Sequence, residues 1–192
     1  MEGLNFTEQG PLFWIGLLVL VYLLWRFFFA QGRSETSDDL DRILVGMGDA
    51  YRVIKGATFI ADNAVICVDR LIVSAFGVFV ITVVDYKGTL KGRLGDREWI
   101  LKRGRNETAI HNPLWINRKQ VNALESLLPA TKIFSWVVVL NAQIQTETSR
   151  KILSLDAFEK EVSSCRKEVL SSKQQEEVLQ IVSPKPDEPL LA

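Results

Sequence analysis

Apolar and polar positions alternate with three different periods along the chain. Residues 12–29 read LFWIGLLVLVYLLWRFFF, apolar on every face, with Arg26 as the lone charge. At about 1.5 Å per residue this run spans about 27 Å, close to the hydrocarbon thickness of a bilayer. It predicts one transmembrane helix over 12–30, after a short extracytoplasmic segment, 1–11. Arg26 lies near the end of the run, where a long side chain snorkels to the headgroups. A signal peptide is the rival reading, but it wants a basic lead-in, and MEGLNFTEQG carries Glu2 and Glu8 without Lys or Arg. The run is also longer than a usual apolar signal core, and no small-residue cleavage site follows Arg26. A buried core helix is the other rival, weakened because the run is apolar on every face and terminal. Arg26 and Arg33 flank the C-terminal side while the other flank holds only acids, which places the N-terminus outside and the rest of the chain in the cytoplasm.

Beyond a polar linker, 31–37, the period shifts. Ser37 is the expected N-cap of a short helix, with Asp38 and Asp39 favourable in its first turn and Leu40, Ile43, Leu44 and Met47 at helical spacing. Residues 51–55, 64–74 (AVICVDRLIVS), 78–84 (VFVITVV) and 97–103 then read as strands, with Ala75-Phe76-Gly77 as a tight connection. VFVITVV is apolar on both faces, which predicts a central strand covered on both sides. Gly88 and Gly92 mark turns. Asn112-Pro113 opens a helix running to about Leu128, with Trp115, Val121, Leu124 and Leu128 on its inner side. Another apolar strand covers 134–140 (FSWVVVL), a short strand 152–155 and a helix 157–170. From Gln174 the composition predicts a fraying helix, so the domain is expected over 38–170 and a flexible tail over 171–192. Strands that first meander and later alternate with helices imply an α/β fold, a mixed sheet with helices packed on it.

Charge and cysteine content exclude some functions. Lys and Arg number 23, as do Asp and Glu, and this balance argues against non-specific coating of nucleic acid. Cys67 and Cys165 have no metal-ligand spacing and read as isolated thiols of a reducing compartment. A single histidine, His111, excludes a His-rich metal cluster and weighs against a His-based triad; next to Asn112-Pro113 it fits a turn or cap.

One constellation stands above this background. Asp69 interrupts an apolar strand, where a bare carboxylate is costly to bury unless paired or metal-bound. The following hairpin can bring it near 80–84, and a Trp-bearing strand and HNPLWINRKQVNAL come next. In this order the segments resemble the nuclease-related domain (NERD) family, over about 37–162. CVDRLIVS resembles the family's first strand, with its acid at Asp69. GVFVITVVDYKG resembles the second, and Trp99, Asn112-Pro113-Leu114 and FSWVVVL follow in the family's order. The resemblance implies a restriction-endonuclease-like fold of the PD-(D/E)xK kind, with an acid-acid-Lys cluster on a mixed sheet flanked by helices. There, two carboxylates hold Mg²⁺, the metal activates water, and the lysine steadies developing charge.

This chain departs from that pattern at three positions. The second acid falls on Thr82, the lysine on Val84, and the family's glutamine after Asn-Pro on Ile116. Loss of one electrostatic catalytic donor alone costs about 10²–10³ in rate. The expectation is therefore a degenerate, non-catalytic site with no cofactor, on a membrane-anchored module that binds DNA or a membrane protein partner. An enzyme alternative uses Asp69 and Asp85 as Mg²⁺ ligands with Lys87, since Asp85-Tyr86-Lys87 is itself acid-x-Lys. Asp85 and Lys87 have the opposite strand parity to Thr82 and Val84, so a bulge would have to restore them; otherwise they are a solvated strand end. A third alternative is a structural or assembly protein that recruits partners through its anchor and Pro-containing tail. Lys102, Arg103, Arg105, Arg118 and Lys119 are candidate nucleic-acid contacts, set against a plain solvated surface. Trp99, Trp115 and Trp136 could stack bases, but core packing is the favoured reading.

Overall fold

A strand that is apolar on both faces has to be buried on both, and VFVITVV is. The computed structural model describes residues 36–145 and 150–184. In chain order its elements are α1 (Ser37–Gly46), β1 (Tyr51–Ala61), β2 (Ala64–Ser74), β3 (Gly77–Val84), β4 (Gly88–Lys91), β5 (Glu98–Arg103) and β6 (Asn106–His111). They continue with α2 (Pro113–Leu127), β7 (Ile133–Val139), β8 (Ala142–Gln145), β9 (Ile152–Leu153), α3 (Leu155–Ser164), α4 (Ser172–Ile181) and β10 (Ser183–Pro184). One sheet has the order β10-β1-β2-β3-β7-β9, with β3 antiparallel to β2 and parallel to β7. The other has the order β6-β5-β4-β8. Both sheets are mixed.

Alternation along β2 and β3 sorts side chains to two layers. Leu71, Val73, Val78 and Val80 meet Val121 and Leu124 of α2 and Val178 of α4. Ile72, Phe79 and Ile81 meet Leu40 and Leu44 of α1 and Phe158 and Val162 of α3. On that side Phe79 stacks against Phe134 and Trp136, and Phe158 meets Trp136 edge-on. Beyond its C-terminal end β3 continues as β4 and β7 as β8, and both pairs are parallel, so the two strands cross side by side into the second sheet. A third apolar cluster, with Val84, Leu90, Trp99 and Leu101, fills that junction.

Several expectations change at this level. The cap of α1 is Thr36, one residue before Ser37: its hydroxyl accepts from Asp39 N–H, and the Asp39 side chain answers in a capping box. β1 extends to Ala61 because Asp62 and Asn63, both at positive φ, form the two-residue turn that the right-handed twist of a hairpin favours. β4, β6 and β8 were not expected; they are short and none is buried along its length, so they lack the apolar run that announces a strand. Trp115 is 47% exposed and not on the inner side of α2, because the buried side carries Asn117 and Gln120 together with Val121 and Leu124. α3 ends at Ser164, and the stretch expected to fray forms α4. A Ser171–Gln174 capping box starts α4, buried Val178 anchors it, and β10 then pairs with β1. The predicted transmembrane helix, 12–30, lies outside the described residues; among those described, no helix is long and apolar enough to cross a membrane.

The junction yields a sharp steric prediction. A Cβ on Gly92 would lie 2.1 Å from Cδ1 and 2.5 Å from Cγ of Trp99. That indole is buried and donates to the Arg93 carbonyl at 2.9 Å, so it cannot step aside cheaply. Gly92→Ala should cost about 1–3 kcal/mol by overpacking, read as a lower urea midpoint.

Candidate functional site

The candidate site forms where β2 leaves β3. Their ladder ends at the Arg70–Ile81 pair, after which β2 stays with β1 and β3 with β7. On β1, Gly56 takes a φ of +55° opposite Asp69, and neither residue is in the register between Lys55–Arg70 and Ala57–Val68. The inward parity changes there: Ile54 and then Ala57 on β1, and Val68 and then Leu71 on β2, all face the same cluster. Asp69 thus lies on a bend and is exposed. Its Oδ2 accepts the Val83 N–H at 2.8 Å, one bond past the end of the ladder.

The guanidinium of its neighbour, Arg70, is buried on the α1 side. Nε and Nη2 donate to the two Asp41 carboxylate oxygens at 2.7 and 3.2 Å, Nη1 to the Asp69 carbonyl at 2.7 Å, and Nη2 also to Ser37 Oγ at 3.1 Å. Lys55 Nζ completes the cluster on Asp41. Burial alone would raise the Asp41 pKa, but the hydrogen bonds and charges of Arg70 and Lys55 outweigh it and hold the carboxyl below its ordinary value. α1 is thereby tied to the bend.

On the α2 side, Thr82, where the resemblance would put a second acid, is closed. Thr82 is 5% exposed; its hydroxyl donates to Gln120 Oε1 at 2.9 Å and accepts from Asn117 Nδ2 at 3.1 Å. Asn117 Nδ2 also reaches the carbonyls of Val80 and Trp136 at 3.1 and 3.2 Å, and its Oδ1 accepts from the Ser135 hydroxyl. Gln120 Nε2 donates to the Cys67 carbonyl at 2.7 Å, just past the bend of β2. Val84, at the lysine position, is 3% exposed in the apolar junction, and Ile116 is half-buried on α2. Gln120 follows Ile116 by one helical turn. Sequence reading missed Asn117, Gln120 and Ser135; the available signal was Asn117 and Gln120 in helical step with Val121 and Leu124.

The remaining candidates fall elsewhere. Asp85 and Lys87 lie in the connection from β3 to β4 and are exposed. Asp85 Oδ1 accepts from Asn141 Nδ2 at 2.5 Å, which links the two strands as they cross between sheets. The Lys87 carbonyl accepts from Arg103 Nε at 3.0 Å. Lys102 faces Glu107 across the β5–β6 ladder at 3.6 Å, and Arg105 is exposed in the turn that follows β5. Arg118 and Lys119 are exposed on α2 beside Trp115, and the Arg97 guanidinium lies over the Trp115 ring at 5.9 Å. Trp99 and Trp136 are buried. His111 ends β6, and Asn112 caps α2; the Asn112 side chain also donates to the carbonyls of Leu94 and Asp96.

A divalent cation such as Mg²⁺ asks for hard oxygen ligands in near-octahedral array. The motif positions offer one carboxylate that already accepts an N–H, one hydroxyl engaged with two amides, and a valine. They do not fit the ion. Among the described residues no group of three or more His, Cys, Asp or Glu is placed to hold a metal.

A mixed α/β core, with an acid at the end of one ladder and an Asn-capped helix behind it, is consistent with a nuclease-like domain. The chain matches the nuclease-related domain, NERD, over residues 30–140, more than half of its length, and it belongs to that family. No curated protein and no solved structure gives a match.

Proposed function

We propose that the chain is a membrane-anchored NERD domain on a restriction-endonuclease-like sheet, that its nuclease site is degenerate, and that it acts by binding DNA. The observation that carries this reading is the satisfied network around Thr82. The second acid is replaced by a hydroxyl that donates to Gln120 and accepts from Asn117, and the lysine by a valine packed among apolar groups. The anchor reading rests on the apolar run of 12–29 and puts the domain on the cytoplasmic face. The exposed cations of α2 and of β5 supply the electrostatic attraction that phosphate binding uses.

The test uses full-length protein, detergent-extracted from a membrane fraction after a carbonate wash that should leave it embedded. Labelled DNA is titrated with and without millimolar Mg²⁺, and binding and cleavage are scored together. Binding that weakens with salt, without cleavage, is the expected result. Mg²⁺-dependent cleavage abolished by Asp69→Ala, Asp85→Ala or Lys87→Ala would instead make the protein a divergent nuclease built on those three residues. Neither binding nor cleavage would move the search to a membrane protein partner.

A further inference from the structure

The amide network occupies the inner side of α2, and the outer side of the same helix carries a different kind of surface. There α2 and the end of the β1–β2 hairpin enclose a cleft of about 430 Å³, lined by Asp62, Ile66, Trp115, Arg118, Lys119 and Asn122 among others. We propose that this cleft binds single-stranded nucleic acid, with an unpaired base stacked on Trp115 and the flanking phosphates on Arg118 and Lys119. The proposal rests on the DNA-binding reading above and deepens it by naming the surface and the form of the nucleic acid.

Four features support it. Trp115 leaves 47% of its surface exposed, whereas Trp99 and Trp136 are buried. An exposed indole at a concave site is a stacking platform, and stacking is indifferent to base identity. Second, the backbone under the ring is set by the Asn112 cap and Pro113 at the start of α2, and the Arg97 guanidinium lies over the ring at 5.9 Å, a cation–π contact that narrows its orientations before binding. Third, among the described residues neither Arg118 nor Lys119 is engaged in an ion pair, in contrast to Lys102 with Glu107 and to Arg103 with the Lys87 carbonyl. Among the described residues no exposed tryptophan accompanies those β5 cations. Fourth, the charges are divided across the cleft: Asp62 stands on the hairpin side and repels phosphate toward Arg118 and Lys119 on the α2 side. The volume suits a single nucleotide-sized group. Duplex DNA keeps its bases stacked within the helix, so it can offer this cleft only its phosphates.

The experiment is an anisotropy titration of the full-length chain in micelles with labelled short oligonucleotides: single-stranded DNA, single-stranded RNA and duplex DNA. Single strands are expected to bind more tightly than the duplex, and the DNA and RNA arms identify the source of the strand. Trp115→Ala should weaken single-strand binding by about 5- to 150-fold, the loss of one stacked base, and Trp115→Phe should recover much of it. The double charge reversal Arg118→Glu with Lys119→Glu should weaken binding and reduce the slope of log affinity against log salt by about 1.4, two phosphates' worth. Lys160→Glu, on α3 across the sheet, should leave both unchanged. Unaltered thermal unfolding of each variant establishes that the fold is intact. If the Trp115 and charge-reversal variants bind like wild type, or the duplex binds as tightly as single strands, the cleft proposal is overturned and the DNA-binding reading stands. If wild type binds none of the three, that reading falls as well.

Discussion

Asp41→Ala is expected to destabilise the protein by about 3–5 kcal/mol, the usual cost of stripping one partner from a buried ion pair. The reason lies with what remains. The Arg70 guanidinium stays buried, with the Asp69 carbonyl and the Ser37 hydroxyl as its other acceptors among the described residues. Two neutral oxygens do not offset a desolvated cation. Replacing both partners by apolar residues, Asp41→Leu with Arg70→Met, should recover much of the loss, because the Arg70 desolvation penalty disappears with its charge, while Lys55, whose side chain is 20% exposed, turns its ammonium to solvent. Urea unfolding of the full-length chain in micelles, followed by tryptophan fluorescence, measures both variants. A double variant no more stable than the single one would show that the cluster is worth more than its packing volume.

The same pair sets a pH dependence. The Asp41 pKa is lowered in the folded protein. Its contribution is therefore fully present above the unfolded carboxylate value, about 3.9, and is lost as pH falls through the lower folded value. In that window the unfolded chain binds more protons, so stability rises with pH. Asp41→Asn should flatten this acid limb and leave the neutral and alkaline limbs parallel to wild type.

How much of this was legible beforehand depends on the kind of residue that carries each feature. The central strands announced themselves, because VFVITVV and FSWVVVL have no face that water could occupy. The Asn112-Pro113 start of α2 was equally plain, since cap chemistry is local. The expected motif positions could be read one by one, with Thr82 and Val84 standing where the resemblance would put an acid and a lysine. What replaces them was not legible. Asn117, Gln120 and Ser135 are polar residues serving as core, and hydropathy assigns such residues to the surface. The same misassignment, in reverse, put Trp115 inside: a helix whose buried side is part amide has its apolar phase rotated. The bend at Gly56 and Asp69 was hidden as well, because it needs two strands to change parity together and neither shows it alone.

Asn117 ties that polar core to the functional reading, and its substitution has the second large effect. The side chain is 1% exposed, with donors directed at the Val80 and Trp136 carbonyls and the Thr82 hydroxyl and an acceptor for Ser135. Asn117→Ala should cost about 1–3 kcal/mol for each buried group left without a partner. Asn117→Asp should cost more, about 3–5 kcal/mol at neutral pH, because an unpaired carboxylate would then face two carbonyl oxygens in a buried site. Its sign with pH opposes that of Asp41. The introduced group has a raised folded pKa, so the variant keeps its stability below the unfolded carboxylate value and loses it as pH rises through the folded one. A variant that gained stability with Mg²⁺ at neutral pH would instead mean that the site accepts a cation once given a second acid. Loss of stability with no metal rescue is the outcome that the proposed reading requires, with this polar cluster serving as core rather than as a cation site.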